Sequence, residues 1–245
     1  FPVRLAAQTV TEAVEDIAVL YRDERCAVVN KPCGLMAHAS SLSRGEDDFL
    51  LHRLRDQFQG KVHLIHRLDR ATNGCVLLAF DAEMASLLGK VFMGRDVRKD
   101  YLAVCRGWPE QRFTVDHALD GGPGKPEKKP AVTDFIRLAT ADLAMPGAAH
   151  ESSRYALMPC SPVTGRFRQI RRHLKHVSHH LIGDTSHGDG RHNRNFRMLG
   201  VHRMLLHAWR LQFVHPLSGV MVSVDVPLDR EYSKALDVLG IVAPC

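Results

Sequence analysis

The chain of 245 residues is 45% hydrophobic and 24% charged, which excludes a disordered protein and permits one large domain with a full core. Lys and Arg outnumber Asp and Glu by 33 to 27, for a net charge of +6, so a polyanion is the natural partner. The sequence shows no signal peptide and no apolar run near the ~18 residues of a membrane span, and we therefore expect a cytoplasmic protein with no membrane contact.

The six cysteines are widely spaced and form no Cys-x-x-Cys pair. Most of them lie in apolar runs, which is typical of buried free thiols in a reducing compartment. Neither a disulfide framework nor a zinc knuckle is expected from this spacing.

The first elements in chain order are an arm, a hairpin and a helix. Residues 1–16 have weak periodicity and are predicted to form an N-terminal arm or short strand. Apolar runs at 17–21 and 26–30 are joined by a charged turn, which predicts a hairpin. Leu residues at helical spacing from position 50 predict a helix, with Asp47 or Asp48 as its cap.

A charged segment, residues 66–74, separates two short apolar runs that are predicted to be buried strands. Within it, Asp69 is flanked by His66, Arg67 and Arg70, and an acid in such company stays ionised at neutral pH. Asp69 can therefore be an anionic nucleophile or base. It can equally be the cap of the turn that follows, with the arginines in solvent, and the segment alone leaves both interpretations open.

The next elements are a helix, several strands and a connector. Asp81 is predicted to cap a helix whose apolar residues recur at i, i+3, i+4, i+7 and i+8. Tyr101 opens a strand-like run, where an aromatic is common and needs no functional explanation. Residues 121–130, rich in Gly, Pro and Lys, are predicted to be an exposed connector.

The last third of the chain begins with a basic segment, residues 166–177, which contains no acid. Ile170, Leu174 and Val177 share one face of the helix predicted there, and the cations occupy the rest. Residues 184–200 are predicted to form a loop rich in Gly, His and Arg. A hairpin and a closing helix at 229–239 complete the chain.

Hairpins connect several predicted strands, and helices occur between them at irregular intervals. This pattern predicts an α+β fold with a mixed, largely antiparallel central sheet and flanking helices. We expect residues 1–245 to form a single domain. No phosphate loop, dinucleotide fingerprint or Gly-x-Ser-x-Gly motif is visible, so neither a nucleotide cofactor nor serine-hydrolase chemistry is expected.

Three motifs in order carry a resemblance to a known family. Residues 66–74 resemble the signature of the RluA family of pseudouridine synthases, residues 98–107 its tyrosine motif and residues 165–171 its third motif. The similarity extends from about residue 20 to about residue 228. The stretches 130–133 and 171–194 are similar to the TruC branch of the family, which modifies tRNA.

Two positions depart from the family pattern, because Asn73 stands where Ser is usual and Arg168 where His is usual. Neither is the family's catalytic residue, so the departures bear on loop geometry and substrate fit. The N-terminal S4 RNA-binding domain of many relatives is not expected here.

The resemblance implies a pseudouridine synthase fold with an active-site cleft and isomerisation of a uridine to pseudouridine. Asp69 would attack C1′ or take the C2′ proton. Arg171 would pair with Asp69, and Tyr101 would lie against the uracil. Arg67 would fill the space left by the flipped base. The reaction is redox-neutral, so no cofactor and no metal are expected.

The expected partner is RNA, bound by a monomer. The resemblance to the TruC branch points to uridine 65 of tRNA, with ribosomal RNA or another tRNA site as alternatives. The candidate RNA contacts are cations in or beside the motifs: Arg67, Arg70, Arg166, Arg168, Arg172, Lys175, Arg191 and Arg194.

Two other classes of function compete with this one. A metal hydrolase could use the histidines near the basic segment, but they lack a carboxylate at recognisable ligand spacing. These are His173, His176, His179 and His180. A non-catalytic RNA-binding protein would need the same basic surface but no aspartate between strands.

Overall fold

The structure is a computed structural model that describes residues 15–38, 48–94, 97–145 and 151–244. All but the last two residues of the predicted N-terminal arm lie outside the described residues, as does Asp47. Five helices are described: α1 (Leu50–Phe58), α2 (Ala82–Met93), α3 (Gln169–His176), α4 (Gly190–Met198) and α5 (Arg230–Leu239). None of them has the length and apolarity needed to span a bilayer.

Thirteen strands are described. They are β1 (Val19–Arg22), β2 (Cys26–Lys31), β3 (His63–Leu64), β4 (Asn73–Ala79), β5 (Val97–Arg106), β6 (Arg112–Asp116), β7 (Leu119–Asp120), β8 (Lys128–Lys129), β9 (Val132–Ile136), β10 (Ala139–Leu143), β11 (Ser153–Pro162), β12 (Leu206–Val214) and β13 (Met221–Asp225).

Eleven of these strands form one sheet in the order β1-β2-β4-β12-β5-β11-β9-β6, with β3 on β4, β10 on β11 and β13 on β12. Among the described pairs only β4 and β12 run parallel. β7 and β8 form a separate two-stranded ribbon. The predicted α+β class with a largely antiparallel sheet is confirmed, whereas the single domain over residues 1–245 stays a prediction.

Strand β4 is buried along its whole length, which explains its uninterrupted apolar sequence. Its alternate residues enter two different cores. Cys75 and Leu77 share a buried cluster with Met84 of α2, and Val76 and Leu78 share another with Leu50 and Leu54 of α1. Each fully buried Leu contributes about 1.5–3 kcal/mol to folding, so β4 is firmly held between two layers of helix.

Two helix starts test the predicted caps. Asp81 caps α2 as predicted, because its side chain accepts a hydrogen bond from Met84 N at 2.8 Å. Asp48 does not cap α1. The N-cap there is Phe49, without a side-chain hydrogen bond, and Asp48 forms an ion pair with Arg53 instead.

The loop predicted at 184–200 is wrong in its second half, where α4 runs from Gly190 to Met198. Asp189 caps this helix by accepting from Arg191 N at 3.0 Å. The buried face of α4 is polar except for Phe196, so this part of the sequence lacks the apolar periodicity that would predict a helix. Its buried polar residues are His192, Asn193 and Asn195.

The basic helix is shorter than predicted and the connector is partly ordered. α3 begins at Gln169 rather than at 166, because Arg168 has a left-handed backbone with φ of 51°. Within the predicted connector, Lys128–Lys129 pairs with Leu119–Asp120 to make the β7–β8 ribbon.

Gly74 is required where β4 meets β12. Its φ is +119°, and a Cβ there would lie 2.2 Å from the carbonyl oxygen of Ala208. Only glycine allows both this conformation and this backbone approach. The parallel pairing of Gly74 with Ala208 therefore fixes the end of the charged segment against β12.

Candidate active site

The charged segment 66–74 leaves β3 and enters β4. Strands were predicted for the runs on either side and both are present, although β3 is only partly buried. They pair with each other, with His63 opposite Ala79 and Leu64 opposite Leu78. The turn itself is made by the main chain, since Thr72 N donates to Asp69 O at 3.1 Å.

The side chain of Asp69 faces a cation from a distant part of the chain. Arg171 Nη1 of α3 donates to Asp69 Oδ2 at 2.6 Å, across 102 positions of sequence. The side chain of Asp69 is 26% exposed and that of Arg171 only 6%. A charge-assisted hydrogen bond of this length is among the stronger ones in proteins, and it leaves the carboxylate accessible to a substrate.

The sequence neighbours of Asp69 have other partners. Arg67 Nη1 lies 2.9 Å from His38 Nε2, and Arg70 Nε donates to Gly34 O at 2.9 Å. The cationic setting expected from neighbouring residues is thus supplied through space by Arg171.

His66 is structural. Its Nε2 accepts from Leu77 N at 3.1 Å, and its ring stacks on Phe92. Loss of solvent, with a smaller contribution from the charge of Lys99, lowers the pKa of His66 to about 3. The imidazole is therefore neutral near pH 7 and adds no charge to the site.

Arg171 is held by a second carboxylate, that of Asp184. Arg171 Nε donates to Asp184 Oδ2 at 2.7 Å and Arg171 Nη2 to Asp184 Oδ1 at 2.8 Å. Burial opposes the charge of Arg171, but the bonds and charges of Asp184 and Asp69 outweigh it and raise the pKa of Arg171. Sequence reasoning assigned no role to Asp184, although its place beside Gly183 in a stretch similar to the TruC branch could have marked it.

Tyr101 lies in β5, opposite Ala208 of β12 and Cys160 of β11. It is partly buried and packs against two core clusters. Burial raises the pKa of Tyr101, and the charges of Asp69 and then of Cys75 raise it further. The phenol is therefore protonated at neutral pH, and it lies close enough to Asp69 to interact with its charge.

A buried lysine connects the loop after β2 to the charged segment. Lys31 Nζ donates to Pro32 O at 2.8 Å, to Leu35 O at 2.7 Å and to Arg70 O at 3.2 Å. Burial is the main cause that lowers the pKa of Lys31 to about 8. The sequence analysis assigned no role to this residue.

Two of the candidate RNA contacts hold the β7–β8 ribbon. Arg172 Nη2 lies 2.7 Å from Asp120 Oδ2, and Arg172 Nη1 lies 3.0 Å from Asp120 O. Arg166 Nε donates to Pro130 O at 3.0 Å. Both guanidinium groups therefore have partners within the protein.

The other candidate cations lie nearer to solvent. Arg168 stacks over Phe167 with 4.8 Å between the guanidinium carbon and the ring centroid. The remaining candidates are exposed: Arg67, Arg70, Lys175, Arg191 and Arg194.

The four histidines of the metal-hydrolase alternative do not converge. His173 bonds Thr133 Oγ1 and the carbonyl of His117, whereas His179 Nδ1 bonds the carbonyl of Arg106. Within the described residues, one group of side chains has the spacing of a metal site: Asp23, Cys26 and His215. It lies at the far end of β2 and β4 from Asp69.

Two comparisons identify relatives of this chain. A family model described as RNA pseudouridylate synthase matches residues 25–176. The tRNA pseudouridine synthase C of Vibrio parahaemolyticus is 38% identical over 229 residues, which cover 89% of this chain and 93% of the relative. The tRNA pseudouridine synthase C of Salmonella typhimurium is 36% identical over 234 residues, covering 91% of this chain and 90% of the relative.

Solved structures agree with the fold. Human RNA Pseudouridylate Synthase Domain Containing 1 superposes with a TM-score of 0.68 at 29% identity, over 88% of this chain and 85% of the other. Human RNA Pseudouridylate Synthase Domain Containing 4 superposes with a TM-score of 0.70 at 23% identity, over 93% and 95%. The motif order, the fold and these similarities agree, and the chain belongs to the RNA pseudouridylate synthase family as a pseudouridine synthase of the RluA type.

Proposed function

We propose that this enzyme converts uridine 65 in the T stem of tRNA to pseudouridine, with Asp69 as the catalytic carboxylate. The observation that carries the role of Asp69 is its hydrogen bond to Arg171, 2.6 Å long, which holds an accessible carboxylate beside Tyr101. The names of the relatives, tRNA pseudouridine synthase C, support the choice of tRNA.

The reaction breaks the bond from N1 to C1′, turns the uracil and joins C5 to C1′. The C5 proton leaves and N1 gains a proton, so no atom is added and no electron is transferred overall. Asp69 begins the reaction by attacking C1′ or by taking the C2′ proton. Both routes need the ionised carboxylate, and Arg171 favours that state by its charge and its hydrogen bond.

Tyr101 lies against the uracil in this proposal and helps to remove the C5 proton after the new bond has formed. Its raised pKa means that the phenol is neutral when the substrate binds. A neutral ring can pack against the base without repelling the anionic carboxylate of Asp69. At the late step the hydroxyl of Tyr101 passes its own proton to the uracil ring or to water as the oxygen accepts the proton from C5, so the phenol stays neutral.

A base in a stem must leave the helix before Asp69 can reach C1′, at a cost of a few kcal/mol. Arg67 is exposed beside the catalytic aspartate and fills the space left by the base. Phosphate contacts from exposed cations supply the remaining binding free energy. The candidates are Arg70, Arg168, Lys175, Arg191 and Arg194.

The proposed enzyme acts as a monomer in the cytoplasm. Asp69, Tyr101 and Arg171 all come from one chain, so a second copy is not needed to complete the site. Each cysteine in the described part of the chain is a free thiol, which suits a reducing compartment.

The test maps pseudouridine in total tRNA and ribosomal RNA from cells with and without the gene, and in tRNA transcripts treated with the purified chain. We expect position 65 of tRNA to gain and lose the modification with the enzyme. The in vitro rate should survive EDTA once tRNA folding is controlled. If the pseudouridine lost from cells without the gene lies in ribosomal RNA or in the tRNA anticodon stem-loop, the proposed substrate is contradicted. If EDTA lowers the rate and zinc restores it, the proposed mechanism is contradicted.

A further inference from the structure

We propose that Asp184 is a positioning residue for the isomerisation, which aims the Nη1 group of Arg171 at Asp69 and balances its charge. This inference rests on the proposed role of Asp69. It concerns a carboxylate that does not itself contact the reacting base.

The guanidinium of Arg171 is planar and has two edges that can bind a carboxylate. Asp184 occupies one edge, with bonds of 2.7 and 2.8 Å to Nε and Nη2. The remaining donor, Nη1, lies 2.6 Å from Asp69 Oδ2. Because the fork is rigid, fixing one edge determines the direction in which Nη1 points.

Asp184 is itself fixed by its own loop. Its side chain is fully buried, and Oδ1 also accepts from the main-chain N–H groups of Ser186 at 2.8 Å and His187 at 3.0 Å. Burial favours the neutral acid, but the bonds and charge of Arg171 and these amides outweigh it and lower the pKa of Asp184. The carboxylate of Asp184 is therefore ionised at neutral pH.

Helix α4 forms hydrogen bonds with the loop that contains Asp184. Asn193 Nδ2 donates to Asp184 O at 2.9 Å, and Asn193 Oδ1 accepts from Gly183 N at 2.7 Å. Gly183 has a φ of +80°, and a Cβ there would lie 2.1 Å from Arg203 O. The loop is pressed against the main chain at 203, so Asp184 has little freedom to move.

The second part of the role is electrostatic. One cation shared by two carboxylates leaves a net negative charge on the group, whereas a cation held by Asp69 alone would neutralise it. Sharing therefore leaves the negative charge of Asp69 only partly neutralised while Arg171 still orients it. Tyr101 from β5 and Lys31 from β2 also lie close enough to Asp69 to interact with its charge.

The deciding variant is Asp184→Asn, which keeps the shape and one acceptor but places an amide N–H against Arg171 Nε. We expect the single-turnover rate with saturating enzyme to fall by about 100-fold, with the dissociation constant for tRNA unchanged.

The matched control is Asp225→Asn. Asp225 forms a similar bidentate pair with Arg210, between β12 and β13 and outside the site. This variant should keep the wild-type rate and pH profile. Wild type and Asp69→Asn are measured in parallel, so that a failure of the proposed function, with no pseudouridine from wild type, is distinct from a failure of this inference.

The inference is overturned if folded Asp184→Asn keeps the wild-type rate, or if its rate falls only together with its affinity for tRNA. If Asp184→Asn does not fold, Asn193→Ser decides the matter, because it loosens the loop and leaves both charges intact. We expect a reduction in rate of roughly tenfold with unchanged tRNA affinity. A wild-type rate in Asn193→Ser would then reject the positioning role.

Discussion

Arg171 bonds Asp69 with the one terminal nitrogen that Asp184 does not occupy. This relationship joins a buried cation to a carboxylate that solvent can reach. The geometry separates two requirements of the proposed chemistry: Asp69 must stay ionised, and it must remain accessible to C1′ of the flipped nucleotide. Because Arg171 approaches from the protein side, both are met at once.

Asp69→Asn should abolish pseudouridine formation and leave tRNA affinity nearly unchanged. The neutral amide can neither attack C1′ nor take the C2′ proton, whereas binding depends on many cations. Single-turnover assays and filter binding measure the two effects separately. Turnover above a few per cent of wild type would contradict the catalytic role.

Arg171→Ala should shift the onset of activity to higher pH. The variant lacks the adjacent cation that stabilises the negative charge of the catalytic carboxylate. The free energy of unfolding should also drop by about 3–5 kcal/mol, because Asp184 becomes a buried charge without its partner. The measurements are a rate profile against pH and urea denaturation.

Arg171→Lys is the control for charge. It keeps a cation near Asp69 but lacks the planar fork that binds Asp184. We expect an onset of activity close to that of wild type with a reduced maximal rate. An onset displaced as far as in Arg171→Ala would show that the charge of Arg171 is unimportant.

Tyr101→Phe should reduce turnover by about 10²- to 10⁴-fold, the usual range for a group that transfers a proton. The ring remains, so stacking on the uracil and tRNA binding should be kept. Release of tritium from C5 of labelled tRNA follows the step directly. Wild-type tritium release in this variant would remove Tyr101 from the proton transfer.

The candidate cations should divide into two groups. Lys175→Ala should weaken tRNA binding and reduce the slope of log affinity against log salt by about one unit, as loss of one phosphate contact does. Arg172→Ala should mainly release the β7–β8 ribbon, because Arg172 bonds Asp120 twice. Limited proteolysis near residues 121–127 reports that release. Equal salt slopes for Lys175→Ala and wild type would exclude Lys175 from the interface.

Stability should decrease in acid because of His207. This side chain is fully buried, and its Nε2 lies 3.1 Å from Val226 O while Nδ1 has no hydrogen-bond partner among the described residues. Burial is the main cause that lowers the pKa of His207 to about 4. The unfolded chain, with an ordinary pKa near 6.5, binds the proton first, so the contribution of His207 is complete above about pH 6.5 and is lost as the pH falls toward 4.

His207→Gln removes this ionisation and can still donate to Val226 O. Its melting temperature should therefore vary less between pH 7 and pH 4 than that of wild type. Parallel pH curves for the two proteins would mean that His207 does not titrate with unfolding.

The local elements of this protein were predictable from its sequence. The hairpin of β1 and β2, the capped helix α2 and the strands around residues 66–74 all follow from apolar period and turn residues. These patterns are local, so short windows of sequence contain them. The family motifs also named Asp69 and Arg171 as partners before the fold was known.

The parts that could not be predicted depend on contacts between distant residues or on buried polar groups. The charges beside Asp69 in sequence bond elsewhere, and the local pattern gave no sign of Arg171, 102 positions away, which only the family resemblance indicated. Helix α4 buries His192, Asn193 and Asn195, whose polarity resembles that of a loop. Burial of such groups is possible only when partners are provided by the tertiary structure.

Gly74 and Gly183 both lie against one short stretch of main chain. The main chain of Gly74 approaches that of Ala208, and the main chain of Gly183 approaches that of Arg203. The loops that contain Asp69 and Asp184 therefore both pack against residues 203–208. If residues 203–208 shifted as a unit, both loops would move with them and the distance between Asp69 and Asp184 would be preserved. An insertion within this stretch would separate the two acids, so natural variation and protein engineering should tolerate sequence changes around 203–208 far better than changes in its length.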